Sequence, residues 1–342
     1  MIEPKDNELY CATTPQFHGF GESNGDLPFG RKQHRLSELI RGPNPPQAYQ
    51  IYFEINEALR QNGHQEEFDD NDLVVTDQCI HEFDTRNPPL SNLIYQHSFP
   101  AIPSRRVAHY TSLDSFKSIV SSGTLRLHSL RERRSKGGEL EPFLTLCGYD
   151  EGQVDPTTGE PAYSKIYKEM AEDLFYTSFT TSPDEDLMWN EFGDSHQGVR
   201  LDFEVVPGRA EFRDMLYSES RLKLLKDILQ IARSHGKTYL FRGVSRGAAF
   251  FLSHYYKECE SRLLLSRTAG RYPFTLTIVK GERRDYVSLP VAIEQRDVGA
   301  NVPNENDYAR ISLVGIQPGR MCARSAFDRT VTEAGLADLV VP

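Results

Sequence analysis

The stretch Tyr256-Lys257-Glu258-Cys259-Glu260-Ser261-Arg262-Leu263-Leu264-Leu265 sets dense charge directly against an apolar run. Read as a strand, it alternates with period 2. Glu258, Glu260 and Arg262 then project from one face, and Cys259, Ser261 and Leu263 from the other. Two carboxylates and a guanidinium on one face are costly if buried and useful in a cleft. The chain must hold that face at a solvated edge, where charge pairs are weak, or build a polar site around it.

A chain of 342 residues can bury a full core, as one large domain or two small ones. A formal charge of -10 argues against a general nucleic-acid binder, because neutralising phosphates needs a basic surface. The five cysteines are odd in number and scattered, and no Cys/His spacing suits zinc. Reduced thiols in a reducing compartment are the simplest account. No apolar run approaches the length of a membrane span, and the N-terminus lacks a basic-then-apolar signal pattern. The sequence therefore leads us to expect a soluble protein working in a cytosol, with no metal site.

Residues 1–45 are rich in Gly, Pro, Asn and charge and carry no period, which predicts a flexible leader. Gln47 to Gly63 reads as a helix, followed by an acidic run, a short strand at Leu73-Val74-Val75 and Pro-bearing connectors. This gives a helical extension and connector over 46–100, then one larger domain over 101–342. Within it, Arg105 to Thr111 reads as a strand. Ser112 reads as the N-cap of a helix ended by Gly123, and Thr124 to His128 as a second strand. A long loop bearing Arg131, Arg133 and Arg134 comes next, then a helix from Tyr163 and a strand over Phe175 to Thr180. Gly198 to Val205 alternates as a strand, and Arg221 to His235 is strongly amphipathic. Short strands and helices without regular β-α alternation indicate an α+β fold. No Gly-rich dinucleotide or P-loop motif follows a strand.

Three elements, His109-Tyr110-Thr111 at a strand end, Thr177-Ser178-Phe179-Thr180, and Glu258-Cys259-Glu260, resemble the three motifs of the ADP-ribosyltransferases in order and spacing. With Met188-Trp189, Gly198-Val199-Arg200-Leu201 and Glu258-x-Glu260-x-Arg262-Leu263, the chain also resembles a widespread bacterial family of uncharacterised domains. The resemblance covers roughly residues 105–320. It implies an ADP-ribosyltransferase-like split β-sandwich with flanking helices, NAD as substrate and a protein side chain as acceptor. A domain of this kind behind a flexible leader is similar to secreted bacterial effectors that modify a threonine of ubiquitin. That narrower likeness implies a host cytosol as the place of action.

The chemistry suits these residue types. Cleaving the glycosidic bond of NAD develops oxocarbenium-like charge on the ribose, which a nearby carboxylate stabilises. The resemblance gives that post to Glu260. It gives Glu258 the orientation or deprotonation of the acceptor. His109 would bond the ribose, the backbone of Tyr110 the carboxamide, and Thr111 would assist. Ser178 would support Glu260, while Tyr176 or Phe179 packs on the nicotinamide ring. Arg105, Arg106 or the Arg131–Arg134 cluster would meet the pyrophosphate.

The pattern also departs from its relatives. A histidine opens the first motif where arginine-specific toxins carry an arginine. The Asn-Asp-Pro-x-Glu stretch common in the bacterial family is replaced by Ser129-Leu130-Arg131-Glu132-Arg133-Arg134. Two alternatives stay open: a nuclease or phosphodiesterase using His109 and Glu260 as acid and base, and a non-catalytic module whose acidic strand docks a basic protein.

Overall fold

The structure, a computed structural model, describes residues 45–83, 87–130, 140–148, 174–251, 256–266, 275–279, 282–293 and 308–341. The expected leader (to residue 44), the Arg131–Arg134 cluster and all but the last residue of the helix expected over Tyr163 to Leu174 lie outside the described residues, and Leu174 itself is in a strand. In chain order the first elements are α1 (Pro45–Gln61), β1 (Leu73–Val75), β2 (Cys79–Glu82), α2 (Leu90–Ser98), β3 (Arg105–Thr111), α3 (Leu113–Ser122) and β4 (Thr124–Ser129). Next come α4 (Glu141–Leu146), β5 (Leu174–Thr180), α5 (Glu185–Glu191), β6 (Val199–Pro207), β7 (Glu211–Asp214), α6 (Lys223–Ser234) and β8 (Thr238–Tyr239). The last are α7 (Val244–Phe250), β9 (Glu260–Ser266), β10 (Thr275–Val279), β11 (Glu282–Ile293), β12 (Ala309–Pro318) and α8 (Arg324–Ala334). The fold is mixed α+β, and no described helix is long and apolar enough to cross a membrane.

The chain divides into two compact units. One takes the chain through Ile94 together with Leu222–Arg242, and the other takes Tyr95–Arg221 with Gly243–Pro342. The amphipathic helix α6 thus belongs with the N-terminal part, not with the later domain to which the sequence reading assigned it. In that first unit α1 buries Ile51, Ile55 and Leu59, spaced four apart on one helical face. Helix α6 buries Leu224, Leu225, Ile228, Leu229 and Ala232 on its own apolar face.

In the second unit, β11, β12, β6, β3, β5 and β4 each pair with the next, and β4 pairs back to β11, so six strands close on themselves. The core fills this ring with Val107, Leu125, Leu127, Phe175, Phe179, Leu201, Phe203, Val287 and Leu313. Beyond β5 the sheet continues through β9 to β7. The ring is weakest between β3 and β5, which share the single registered pair Ala108↔Thr180. The far edges of both strands are paired along their length, β3 with β6 and β5 with β9.

Local signals fix the approach to that weak point. Ser112 caps α3 by accepting the Ser115 N–H at 3.2 Å, and Gly123 ends the helix at φ 62°, where a side chain would be strained. The buried ring of Phe116 stacks on Phe327 of α8 at 5.8 Å. Gly198 lies so close to the end of β3 that an added Cβ would stand 2.1 Å from the Thr111 carbonyl oxygen.

Helix α2 lies between the two Pro-bearing connectors, and one expectation is corrected: the strand expected from Tyr256 begins only at Glu260. Tyr256–Glu258 is a 3₁₀ turn, and Cys259 takes a positive φ of 43° that breaks the alternation.

Replacing Gly198 by Ala forces a backbone shift where β3 meets β6, and overpacking of this kind costs about 1–3 kcal/mol. Urea denaturation of the variant should show a lower midpoint with an unchanged slope.

Candidate functional site

The site is built where β3, β5 and β9 come together. Register sets the faces. Thr180 pairs with Glu260, Ser178 with Arg262 and Tyr176 with Leu264, so Tyr176, Ser178, Glu260 and Arg262 share one face of the sheet. The Ala108↔Thr180 pair brings Ala108 and Tyr110 to that same face. His109 has the opposite parity, that of Val107 and Leu201, and it opposes Leu201 across β6.

His109 and Glu260 nevertheless meet at one residue. The His109 Nδ1–H donates to the Ser178 carbonyl at 2.9 Å, which leaves Nε2 as the acceptor nitrogen of the neutral ring. The Ser178 hydroxyl donates to the Glu260 carboxylate. The imidazole therefore takes a main-chain oxygen on the edge of β5 where ladder pairing to β3 stops. Burial holds His109 below the usual imidazole value, and its bond to Ser178 opposes that only in part.

Glu260 is 6% exposed and Arg262 3%, and the two form a buried ion pair. Arg262 Nε donates to Oε1 at 2.7 Å and a terminal nitrogen to Oε2 at 3.3 Å. Its other terminal nitrogen donates to the Ala249 carbonyl in the last turn of α7 at 2.8 Å, where a cation is favoured. The guanidinium also lies 4.6 Å over the Tyr176 ring. Residues i and i+2 on one strand face are close enough for the long arginine to reach back along its own strand. This is why the charges at 260 and 262 can neutralise each other in the interior.

The start of β9 is gripped from both sides. The Glu260 carbonyl accepts the Met215 N–H at 2.9 Å, and the Glu260 N–H donates to the Tyr217 hydroxyl oxygen at 2.9 Å. On the β5 side, Thr180 Oγ1 donates to the Glu258 carbonyl at 2.5 Å and Ser182 Oγ to the Lys257 carbonyl at 2.7 Å. The Thr181 N–H reaches the Cys259 carbonyl at 3.2 Å. Glu258 is half-buried on this clamped turn, so it does not share a strand face with Glu260, as the sequence reading expected.

The remaining expected residues fall as follows. Phe179 is 2% exposed and packs inside the ring against Phe203 at 6.0 Å and Phe212 at 6.1 Å, with His109 edge-on at 6.0 Å. It is a core residue, and of the two aromatics named for the nicotinamide ring neither is open, since Tyr176 is 3% exposed beneath Arg262. Tyr110 is buried edge-on against Trp189 at 4.9 Å, and Thr111 is half-buried at the end of β3. Arg105 is held by Asp214 at 2.5 Å, a carboxylate that also accepts from Ser261 at 2.6 Å, while Arg106 is exposed. A cavity of about 340 Å³ lies beside this pair, lined by Ser98, Ile102 and Met215 among others, and includes none of the motif residues.

Sequence reasoning missed Tyr217 and the Thr180–Ser182 clamp. Arg262 was placed on the correct face, but its buried pairing with Glu260 was not foreseen. The alternation of β9 was the available signal for Arg262; Tyr217 sits in a loop with none. Comparison of the chain with protein-family models, with curated proteins and with solved structures returns no match.

Arg262→Met leaves the Glu260 charge buried without its cation, which should cost about 3–5 kcal/mol, whereas Glu260→Leu/Arg262→Met together should recover most of that loss. A double-mutant cycle by chemical denaturation reads both. For His109 the folded value lies below the unfolded one of about 6.5. Its contribution is complete above pH ~6.5 and is lost as pH falls through the lower folded value. Stability measured from pH 7.5 to 5 should therefore fall less steeply in His109→Gln.

Proposed function

We propose that this chain is a mono-ADP-ribosyltransferase that moves ADP-ribose from NAD to a protein side chain. The observation that carries the reading is the double use of Ser178, whose hydroxyl serves Glu260 and whose carbonyl serves His109. Residues from three separate motifs, 69 and 82 positions from Ser178 in sequence, thereby converge on one short length of β5. The fold implied is a split β-sandwich, and the single registered pair between β3 and β5 is consistent with its opening.

In this reading Glu260 stabilises positive charge developing on the nicotinamide-side ribose, held still by Ser178 and Arg262. A carboxylate already fixed by Ser178 and Arg262 needs no reorganisation as that charge appears. Glu258, set apart on its turn, receives the proton of the attacking acceptor. Neutral His109 presents Nε2 as an acceptor for a ribose hydroxyl. Tyr110 offers backbone groups to the carboxamide, and Thr111 assists. The acceptor is a protein, a threonine of ubiquitin in the narrower form of the proposal, and the setting is a host cytosol entered by a secreted bacterial effector.

A second reading draws on the low exposure of Glu260 and its capture by Arg262: a non-catalytic module in which the pair only stabilises the sheet. One assay separates the two. Purified protein incubated with NAD and a eukaryotic lysate should release nicotinamide and label a protein band. Glu260→Gln should lower the rate about 10²–10³-fold with the circular dichroism spectrum retained. Wild-type protein that leaves NAD intact contradicts the transferase, and RNA cleavage without NAD would support a nuclease instead.

A further inference from the structure

Every residue lining the cavity of about 340 Å³ belongs to the second unit: the run from Ser98 to Arg105, then Asp214, Met215, Leu216 and Arg221. That volume is at the small end of ligand pockets, which run from roughly 300 to 1,000 Å³. Ile102, Met215 and Leu216 give it a buried apolar wall. The Ile102 N–H is fixed on the Phe212 carbonyl at 2.8 Å.

The charged side of the cavity is incompletely paired. Arg105 bonds through Nη1 alone, to Asp214 at 2.5 Å and to Ser261 at 3.4 Å. Its Nε and Nη2, the fork that meets a carboxylate side-on, have no partner among the described residues. Asp214 also accepts from Ser261 at 2.6 Å, so the guanidinium is held in place before any ligand arrives. Arg221, exposed in the 3₁₀ turn Glu219–Leu222, has no partner among the described residues either. Nor has the hydroxyl of Ser98, a residue only 2% exposed. Buried polar atoms of that kind mark places where a water or a ligand completes the structure.

We propose that this cavity is a second ligand site, separate from the dinucleotide, for a small organic monocarboxylate. The carboxylate takes the open fork of Arg105 and is drawn by Arg221, while its hydrocarbon body lies on Ile102, Met215 and Leu216. Two guanidiniums and one carboxylate leave one net positive charge, which suits a monoanion. A phosphate monoester carries about −1.5 to −2 at neutral pH and would be repelled by Asp214. The pyrophosphate to which the sequence reading offered Arg105 meets the same objection. Such a site needs no NAD chemistry and stands or falls apart from the transferase reading.

Ligand-observed NMR titration of the full chain with hexanoate, hexanamide and hexyl phosphate tests it. Hexanoate should bind with a Kd of about 1 mM or tighter, and at least about tenfold better than either analogue. Arg105→Lys keeps the charge without the fork and should weaken hexanoate about tenfold or more. Arg221→Gln, which disturbs no described bond and so guards against misfolding of the first variant, should weaken it roughly two- to fivefold. Hexanamide or hexyl phosphate binding as well as hexanoate, or unchanged affinity in both variants, overturns the site. Displacement of hexanoate by NAD overturns its separateness from the dinucleotide. Nicotinamide release by the wild-type protein bears on the transferase reading alone.

Discussion

A carboxylate and a guanidinium two residues apart on one strand, both almost without solvent, set the terms for the second unit. Removing two charges from water costs several kcal/mol each, and that cost is offset only when every oxygen and nitrogen finds a partner. Glu260 and Arg262 meet this condition through each other, Ser178 and the Ala249 carbonyl. The strand next to them is therefore committed. Ser178 must face Glu260, which fixes the register of β5 against β9, and that register carries Phe179 into the core on the opposite face.

The opening between β3 and β5 lies on the near edges of two strands whose far edges are fully paired. With β5 fully paired to β9 and β3 fully paired to β6, the two strands meet at one registered pair. His109 fills part of the gap by donating to the main chain of Ser178. A histidine whose pKa burial lowers is suited to that post, since its neutral ring needs only the Ser178 carbonyl as a partner for Nδ1–H. The polar layer and the apolar ring core are thus two sides of one strand, joined through Ser178.

Much of this was legible in the sequence wherever the signal is local. The alternation of Arg105–Thr111, the Ser112 cap, the Gly123 stop and the strand after it depend on neighbours only, and the structure has them all. Alternation also put Glu260 and Arg262 on one face. It failed at Glu258 because Cys259 adopts a left-handed conformation, held by bonds from Thr180, Thr181 and Ser182 some 75 to 78 residues away. No residue type in the 256–260 stretch announces that. Helix α2 was not read at all, since it is short and framed by the Pro-bearing runs at 87–89 and 99–103, although proline just before a helix is well tolerated. The grouping of α6 with α1 depends on apolar faces far apart in sequence, which periodicity cannot pair.

The transferase reading requires a dinucleotide whose nicotinamide-side ribose lies between Glu260 and His109. A crystal structure of the protein with a non-hydrolysable NAD analogue tests it most directly. The expected result has a ribose hydroxyl within hydrogen-bond distance of the Glu260 carboxylate and His109 Nε2, with Arg262 still on the far side of that carboxylate. An analogue that binds elsewhere, or a Glu260 carboxylate that takes no hydrogen bond from the ribose at saturating ligand, would contradict it.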